Sequence, residues 1–160
     1  MVRVRDVRWL TEREQRVWRR FAGVLAWLPA ELDGQLQRDS AVTHFGYWVM
    51  AALSEAPGRA MRMSELAGMA NGSQSRLSHV VGKLERQGFL RRERTADDGR
   101  GYVAVLTDAG YDKVAASAPG HVAAVRATVL DALTPEQLDQ LGDICAAILA
   151  RIRSDRPSPP

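Results

Sequence analysis

The stretch from Ser64 to Thr107, SELAGMANGSQSRLSHVVGKLERQGFLRRERTADDGRGYVAVLT, constrains this chain more than any other part of it. Ser64 starts a short helix through Ala70, with Leu66, Ala67 and Ala70 on its inner side. Asn71-Gly72 supplies a turn, because both residues tolerate positive φ. Ser73 caps a second helix that ends at Gln87-Gly88, with glycine just past the last turn. Leu77, Val80, Val81 and Leu84 form its apolar stripe. Two alternating segments follow, Phe89 to Arg94 and Tyr102 to Leu106, and Asp98-Gly99 marks a hairpin tip between them. A polar-faced helix followed by a basic hairpin fits along a nucleic-acid duplex. The expected fold is therefore mainly α with a small β-hairpin wing, a winged helix-turn-helix lobe.

Long apolar helices flank this lobe. Thr11-Glu12-Arg13-Glu14 reads as a capping box. The helix it opens carries Val17, Trp18, Phe21, Val24, Leu25, Leu28 and Leu32 at spacings of three and four. Pro29 falls inside that pattern, so a kink is expected there rather than a stop. A further helix spans Thr43 to Ala56 and closes at Pro57-Gly58, and Met61-Arg62-Met63 is a candidate minor strand. Thr107 caps a helix that meets Pro119-Gly120, after which the helical pattern resumes through Leu133. Thr134-Pro135-Glu136-Gln137 opens the last helix, with Pro at its first position and Gln137 at the capping-box site.

Charge distribution says more than net charge. The formal charge is only +3 over 160 residues, from 22 Lys and Arg against 19 Asp and Glu. Residues 1–20 hold seven arginines against three acids, and residues 76–100 hold seven basic side chains against four acids. From 101 to 150 the acids outnumber the bases. Basic character thus gathers in two patches, as a polyanion footprint requires. One cysteine, Cys145, excludes an internal disulfide framework and fits a reducing compartment. No apolar run approaches the roughly 20 residues that span a bilayer, and the basic N-terminus lacks the apolar core of a signal peptide. A cytoplasmic protein with no membrane contact is expected.

The second helix of the lobe offers Ser73, Gln74, Ser75, Arg76, Ser78, His79 and Lys83, away from the apolar stripe or at the exposed N-terminus. Such side chains bond base edges or phosphates in a major groove, and the helix N-terminus adds amide donors. In the hairpin, Arg92, Arg94 and Arg100 are candidates for phosphates or the minor groove. Asp98 would orient Arg100 rather than touch DNA. Chemistry of other kinds finds little support. His44, His79 and His121 are scattered, no metal-ligand spacing or phosphate loop occurs, and neither metal, cofactor nor catalysis is expected.

These residues resemble the MarR family of bacterial winged-helix regulators. The match rests on Ser64-Glu65-Leu66-Ala67, on Ser73 to Ser78, on Leu84-Glu85-Arg86-Gln87-Gly88-Phe89-Leu90, on Arg92 followed by Asp98-Gly99-Arg100, and on Leu106-Thr107-Asp108-Ala109-Gly110. With the flanking helices it covers roughly residues 11–152. The resemblance implies a single domain over 1–160: dimerisation helices at 11–36 and 112–153, a DNA-binding lobe at 43–107 and a flexible tail at 154–160. It also implies a homodimeric repressor on a palindromic operator, released by a small aromatic or anionic effector. The apolar surface of the 11–36 and 134–153 helices exceeds what the lobe covers, which a two-fold dimer explains; one compact helical core is the competing arrangement. A crevice between dimerisation helices and lobe holds the effector in many family members, and Trp18, Trp27, His44, Phe45, Tyr47 and Trp48 are candidates to line it here. Aromatics at helical spacing also serve simply as core. Some family members sense oxidants through a cysteine near the N-terminus; Cys145, on the last helix's apolar stripe, is expected to be a buried structural thiol instead. A ligand-binding or protein-interaction module of the same fold without specific DNA binding is the alternative function.

Overall fold

The computed structural model describes residues 7–69, 74–94 and 101–154. Six helices and three strands follow in order: α1 Glu12–Ser40, α2 His44–Glu55, β1 Ala60–Arg62, α3 Met63–Met69, α4 Gln74–Arg86, β2 Leu90–Arg94, β3 Tyr102–Leu106, α5 Asp108–Thr128 and α6 Pro135–Ser154. The expected winged helix-turn-helix lobe is formed by α2 to β3. Its sheet has three antiparallel strands in the order β1-β3-β2, so the candidate minor strand joins the hairpin, shifted one residue earlier. Registers are Met61 opposite Ala104 and Arg92 opposite Ala104 on the other edge.

Local chemistry sets the ends of α1. The Thr11 hydroxyl accepts from the Glu14 amide at 3.3 Å, and the Thr11 amide donates to Glu14 Oε2 at 2.7 Å, completing the capping box. Those hydrogen bonds hold the Glu14 carboxyl below the usual carboxylate range. The helix runs through Pro29 and four residues past the expected 36. It stops where Ala41 turns left-handed at φ 52°, its amide capping the carbonyls of Leu36 and Gln37.

The expected interruption at Pro119-Gly120 does not occur: α5 is continuous from Asp108 to Thr128. Packing against α1 and α2 outweighs the local preference. Gly120 serves that packing, since a Cβ there would lie 3.2 Å from Gln35 Nε2 on α1.

The core belongs to the lobe and to what closes it. Leu36, Val49, Met50, Leu53, Leu66, Leu77, Val81, Leu84, Leu90, Leu106 and Val114 form one buried cluster. The terminal helices differ. Val17, Trp18, Val24, Leu25 and Trp27 of α1 are exposed, as are Leu138, Ile144, Leu149 and Ile152 of α6, and no residue of α6 is buried. Cys145, expected to be buried, is exposed in the single chain, because its apolar stripe lies on a helix of which no residue is buried. Among the described residues no helix is long and apolar enough to cross a membrane.

Candidate nucleic-acid interface

Helix α4 is strongly two-sided. Leu77, Val81 and Leu84 are buried and Val80 half-buried, as the spacing predicts. This fixes the helix's rotation, so that Ser75, Arg76, Ser78, His79 and Lys83 all face outward. Five of the seven expected groove-facing residues therefore share one exposed side. Ser73, Asp98 and Arg100 lie outside the described residues, as do the Asn71-Gly72 turn, the Asp98-Gly99 tip and the side chain of Gln74.

The junction from helix to wing is welded at one point, which explains the Leu-Thr-x-x-Gly run. Gly88, at φ 78°, turns the chain out of α4. The Thr107 hydroxyl donates to the Gly88 carbonyl at 2.7 Å and accepts from the Gly110 amide at 3.0 Å, capping α5 while holding the turn. Gly110 sits so close to β2 that a Cβ would collide with the Phe89 carbonyl oxygen. Wing base, turn and α5 are thus one rigid corner.

Wing arginines fall into two classes. Arg92 is tied to Glu85 of α4: its Nη2 and Nε donate to Glu85 Oε2 at 2.6 and 2.9 Å, and its amide donates to Oε1 at 3.2 Å. The Arg92 side-chain hydrogen bond, above the other causes, holds the Glu85 carboxyl below its usual range. Arg91 pairs with Glu93 at 2.6 Å. Arg94 is exposed and makes no ion pair among the described residues. Glu85 had no assigned role in the sequence; its position one turn before Gly88 is the signal that it faces the returning strand.

A crevice of about 580 Å³ opens between α1, α2 and α4. His44, Phe45 and Trp48 line it, together with Pro29, Ala30, Asp33, Met69 and Arg76. The Phe45 and Trp48 rings are nearly parallel, with centroids 5.8 Å apart. The Arg76 guanidinium stacks over Phe45 at 4.7 Å, so one recognition-helix cation also borders the crevice. Asp33 accepts the His44 amide at 2.7 Å. The other three expected aromatics lie elsewhere. Trp18 and Trp27 project from α1, Trp27 being 80% exposed. Tyr47 is buried, its ring 4.7 Å from that of His121. Spacing put all six on helices correctly, but only three lie on the side that faces α4.

This lobe, with a polar helix beside a basic strand pair, defines a winged helix-turn-helix protein. The MarR family profile matches residues 47–101. The fold superposes on Sco3205 of Streptomyces coelicolor, a MarR family transcriptional regulator crystallised in complex with DNA, with TM-score 0.88 and 46% identity over 94% of this chain and 96% of that one. It superposes similarly on AbsC, another MarR family regulator of that organism, with TM-score 0.87 and 39% identity over 93% of this chain and 100% of that one. The uncharacterised HTH-type regulator YkoM of Bacillus subtilis (strain 168) is 38% identical over 65 residues, which span 41% of this chain and only 42% of that protein. The chain belongs to the MarR family, and it is a transcriptional regulator rather than an enzyme.

Proposed function

We propose that this regulator is a homodimeric, sequence-specific DNA-binding repressor of the cytoplasm, released from a palindromic operator by a small aromatic or anionic molecule. The observation that carries the DNA-binding part is the shared exposed face of Ser75, Arg76, Ser78, His79 and Lys83 over the buried Leu77, Val81 and Leu84. In this reading Ser73 and Gln74 also take part in reading base edges, and Lys83 serves the backbone. Arg94 and Arg100 hold phosphates or enter the minor groove, with Asp98 orienting Arg100. That Sco3205 was crystallised with DNA supports the same use of this fold. The uncovered apolar faces of α1 and α6 support a two-fold dimer, which sets two recognition helices about one DNA turn apart.

The crevice supports the effector reading. Its stacked Phe45 and Trp48 suit a flat aromatic ring, and Arg76 and His44 suit an anionic group beside it. A ligand seated there would touch the recognition helix through Arg76.

Selection of duplexes from a random-sequence pool by the full chain, followed by gel shifts across a salt series, tests the reading. An enriched palindrome whose affinity falls linearly with log salt is the expected result. No enrichment would leave a fold-sharing module without specific DNA binding. Arg76→Ala should weaken binding and relax base preference, and a uniform loss across sequences would reduce Arg76 to a phosphate contact.

A further inference from the structure

Arg92 belongs to the wing strand, yet its guanidinium is turned back onto the last turn of the recognition helix. Both oxygens of Glu85 are engaged there, Oε2 by the side chain at 2.6 and 2.9 Å and Oε1 by the Arg92 amide at 3.2 Å. A carboxylate on a helix that meets a polyanion repels it, so Glu85 needs a positive reason to stand on α4. Its partner removes most of that repulsion, because a close Arg–carboxylate pair presents little net charge. The same pairing fixes geometry. Glu85 and Arg92 lie seven residues apart, on opposite sides of the Gly88 turn, with Leu84 and Leu90 packed in the core beneath them. Residues alternate along β2, so Leu90, Arg92 and Arg94 share one side of the strand. Arg94 is the member of that set that stays exposed and outside any ion pair among the described residues.

We propose that Glu85 is a positioning residue for DNA recognition: it holds Arg92 off the phosphates and fixes the wing strand to the recognition helix, leaving Arg94 as the phosphate contact of that strand. The proposal rests on the DNA-binding reading above. It assigns to Arg92 the opposite role from the one its charge suggests. A guanidinium that contacted phosphate would act through its charge; one that struts the wing acts through its fork, which a lysine cannot reproduce.

The test uses the duplex selected by the wild-type chain and a scrambled duplex of equal length. Affinities for both are measured over a salt series for wild type, E85Q, E85D, R92K, R92Q, R94Q and the E85Q/R92Q pair. Far-ultraviolet circular dichroism and thermal melting show which variants are folded at the assay temperature. E85Q should weaken binding to the selected duplex by about fivefold or more, although it removes a negative charge, and should lower the ratio of selected to scrambled affinity. E85D keeps the charge but shortens the reach, and R92K keeps the charge but loses the fork, so both should remain defective. The E85Q/R92Q pair should be no worse than the weaker single variant. R94Q should reduce the salt slope by about one while altering the ratio little.

Tighter or unchanged binding by E85Q, or full rescue by R92K with a reduced salt slope in R92Q, would overturn the proposal and return Arg92 to the phosphates. If E85Q does not fold, E85D and R92K carry the same decision, since wild-type affinity in either would overturn it. Failure of the wild-type chain to select any duplex is a different result: it would sink the DNA-binding reading itself.

Discussion

The winged lobe and the helix α6 carry apolar stripes of the same kind, and the two stripes meet opposite fates. Leu77, Val81 and Leu84 of α4 lie at 0–3% exposure, closed over by Leu66, Leu90 and Leu106. Leu138, Ile144, Leu149 and Ile152 of α6 are each more than 40% exposed. Helix α1 shows both outcomes along its length, with Leu32 and Leu36 buried near its C-terminus and Val17, Trp18, Val24 and Leu25 open nearer its N-terminus. Periodicity decides which side of a helix is apolar; burial needs a second surface. The lobe finds that surface within one chain. Helix α6 and the N-terminal part of α1 do not, and their apolar faces are what the proposed dimer would cover.

The contrast can be broken from either side. Leu77→Ala removes a fully buried side chain from a core that cannot collapse around it, so it should cost about 2–5 kcal/mol in chemical denaturation. A cost below about 1 kcal/mol would mean that the lobe is less closed than its burial indicates. Replacing Ile144 and Leu149 by Glu together should leave the helical signal of the lobe in place and change association instead. Sedimentation equilibrium should then give the mass of one chain, and the wild type should give the mass of two. A double variant that keeps the two-chain mass would remove α6 from the proposed interface.

What the sequence made legible follows the same division. Cap and turn residues act within four or five positions, so Thr11, Thr107 and Gly88 revealed their helix ends without tertiary knowledge. The α4 stripe was equally readable, because a 3.6-residue period and four apolar residues leave one orientation. Three readings needed the third dimension. Pro119-Gly120 looked like a break, but close approach to α1 favours a glycine there and the helix continues. Cys145 looked like a core thiol, since its stripe is apolar, but apolarity does not supply a neighbour. Among the aromatics, Phe45 and Trp48 face α4, while Trp18 and Trp27 share their chemistry and sit on the open part of α1. The role of Glu85 stayed hidden for a related reason: its partner is seven residues away across a turn.

At the corner where the wing meets α5, the lobe is joined to the outer helices. Gly110→Ala places a methyl against the Phe89 carbonyl, backbone against which there is no side chain to swing aside. A loss of about 1–3 kcal/mol is expected, with the wing's amides losing hydrogen-exchange protection first. Thr107→Ala removes the α5 cap and the bond to the Gly88 carbonyl, and should cost about 1 kcal/mol. If the alanine at 107 proved the more damaging of the two, the corner would depend on hydrogen bonding more than on close packing.

The smallest effect lies at the seam between α1, α2 and α5, where His44 and His121 approach with ring centroids 5.6 Å apart. His121 Nδ1 is buried without a hydrogen-bond partner among the described residues, and the Tyr47 ring lies 4.7 Å from that of His121. Burial, above all, lowers both imidazole pKa values from 6.5; His44 lowers that of His121 further, while Asp33 raises that of His44 in part. The unfolded chain therefore takes up these protons before the folded one as pH falls. The contribution of the neutral pair is fully present above about pH 6.5, declines as pH drops through that value, and levels off below the folded-state values. Both rings are partly exposed, so the loss between pH 7.5 and 5.5 should stay under about 1 kcal/mol. His121→Phe should flatten that slope, as measured by denaturant midpoints at fixed protein concentration. Glu85 acts in a separate window. Its depressed pKa makes its contribution present above 4.5 and lost as pH falls through the folded value, so a variant lacking His121 should keep the acid limb. A slope between 7.5 and 5.5 that survived His121→Phe unchanged would move the titrating group away from the seam between α1, α2 and α5.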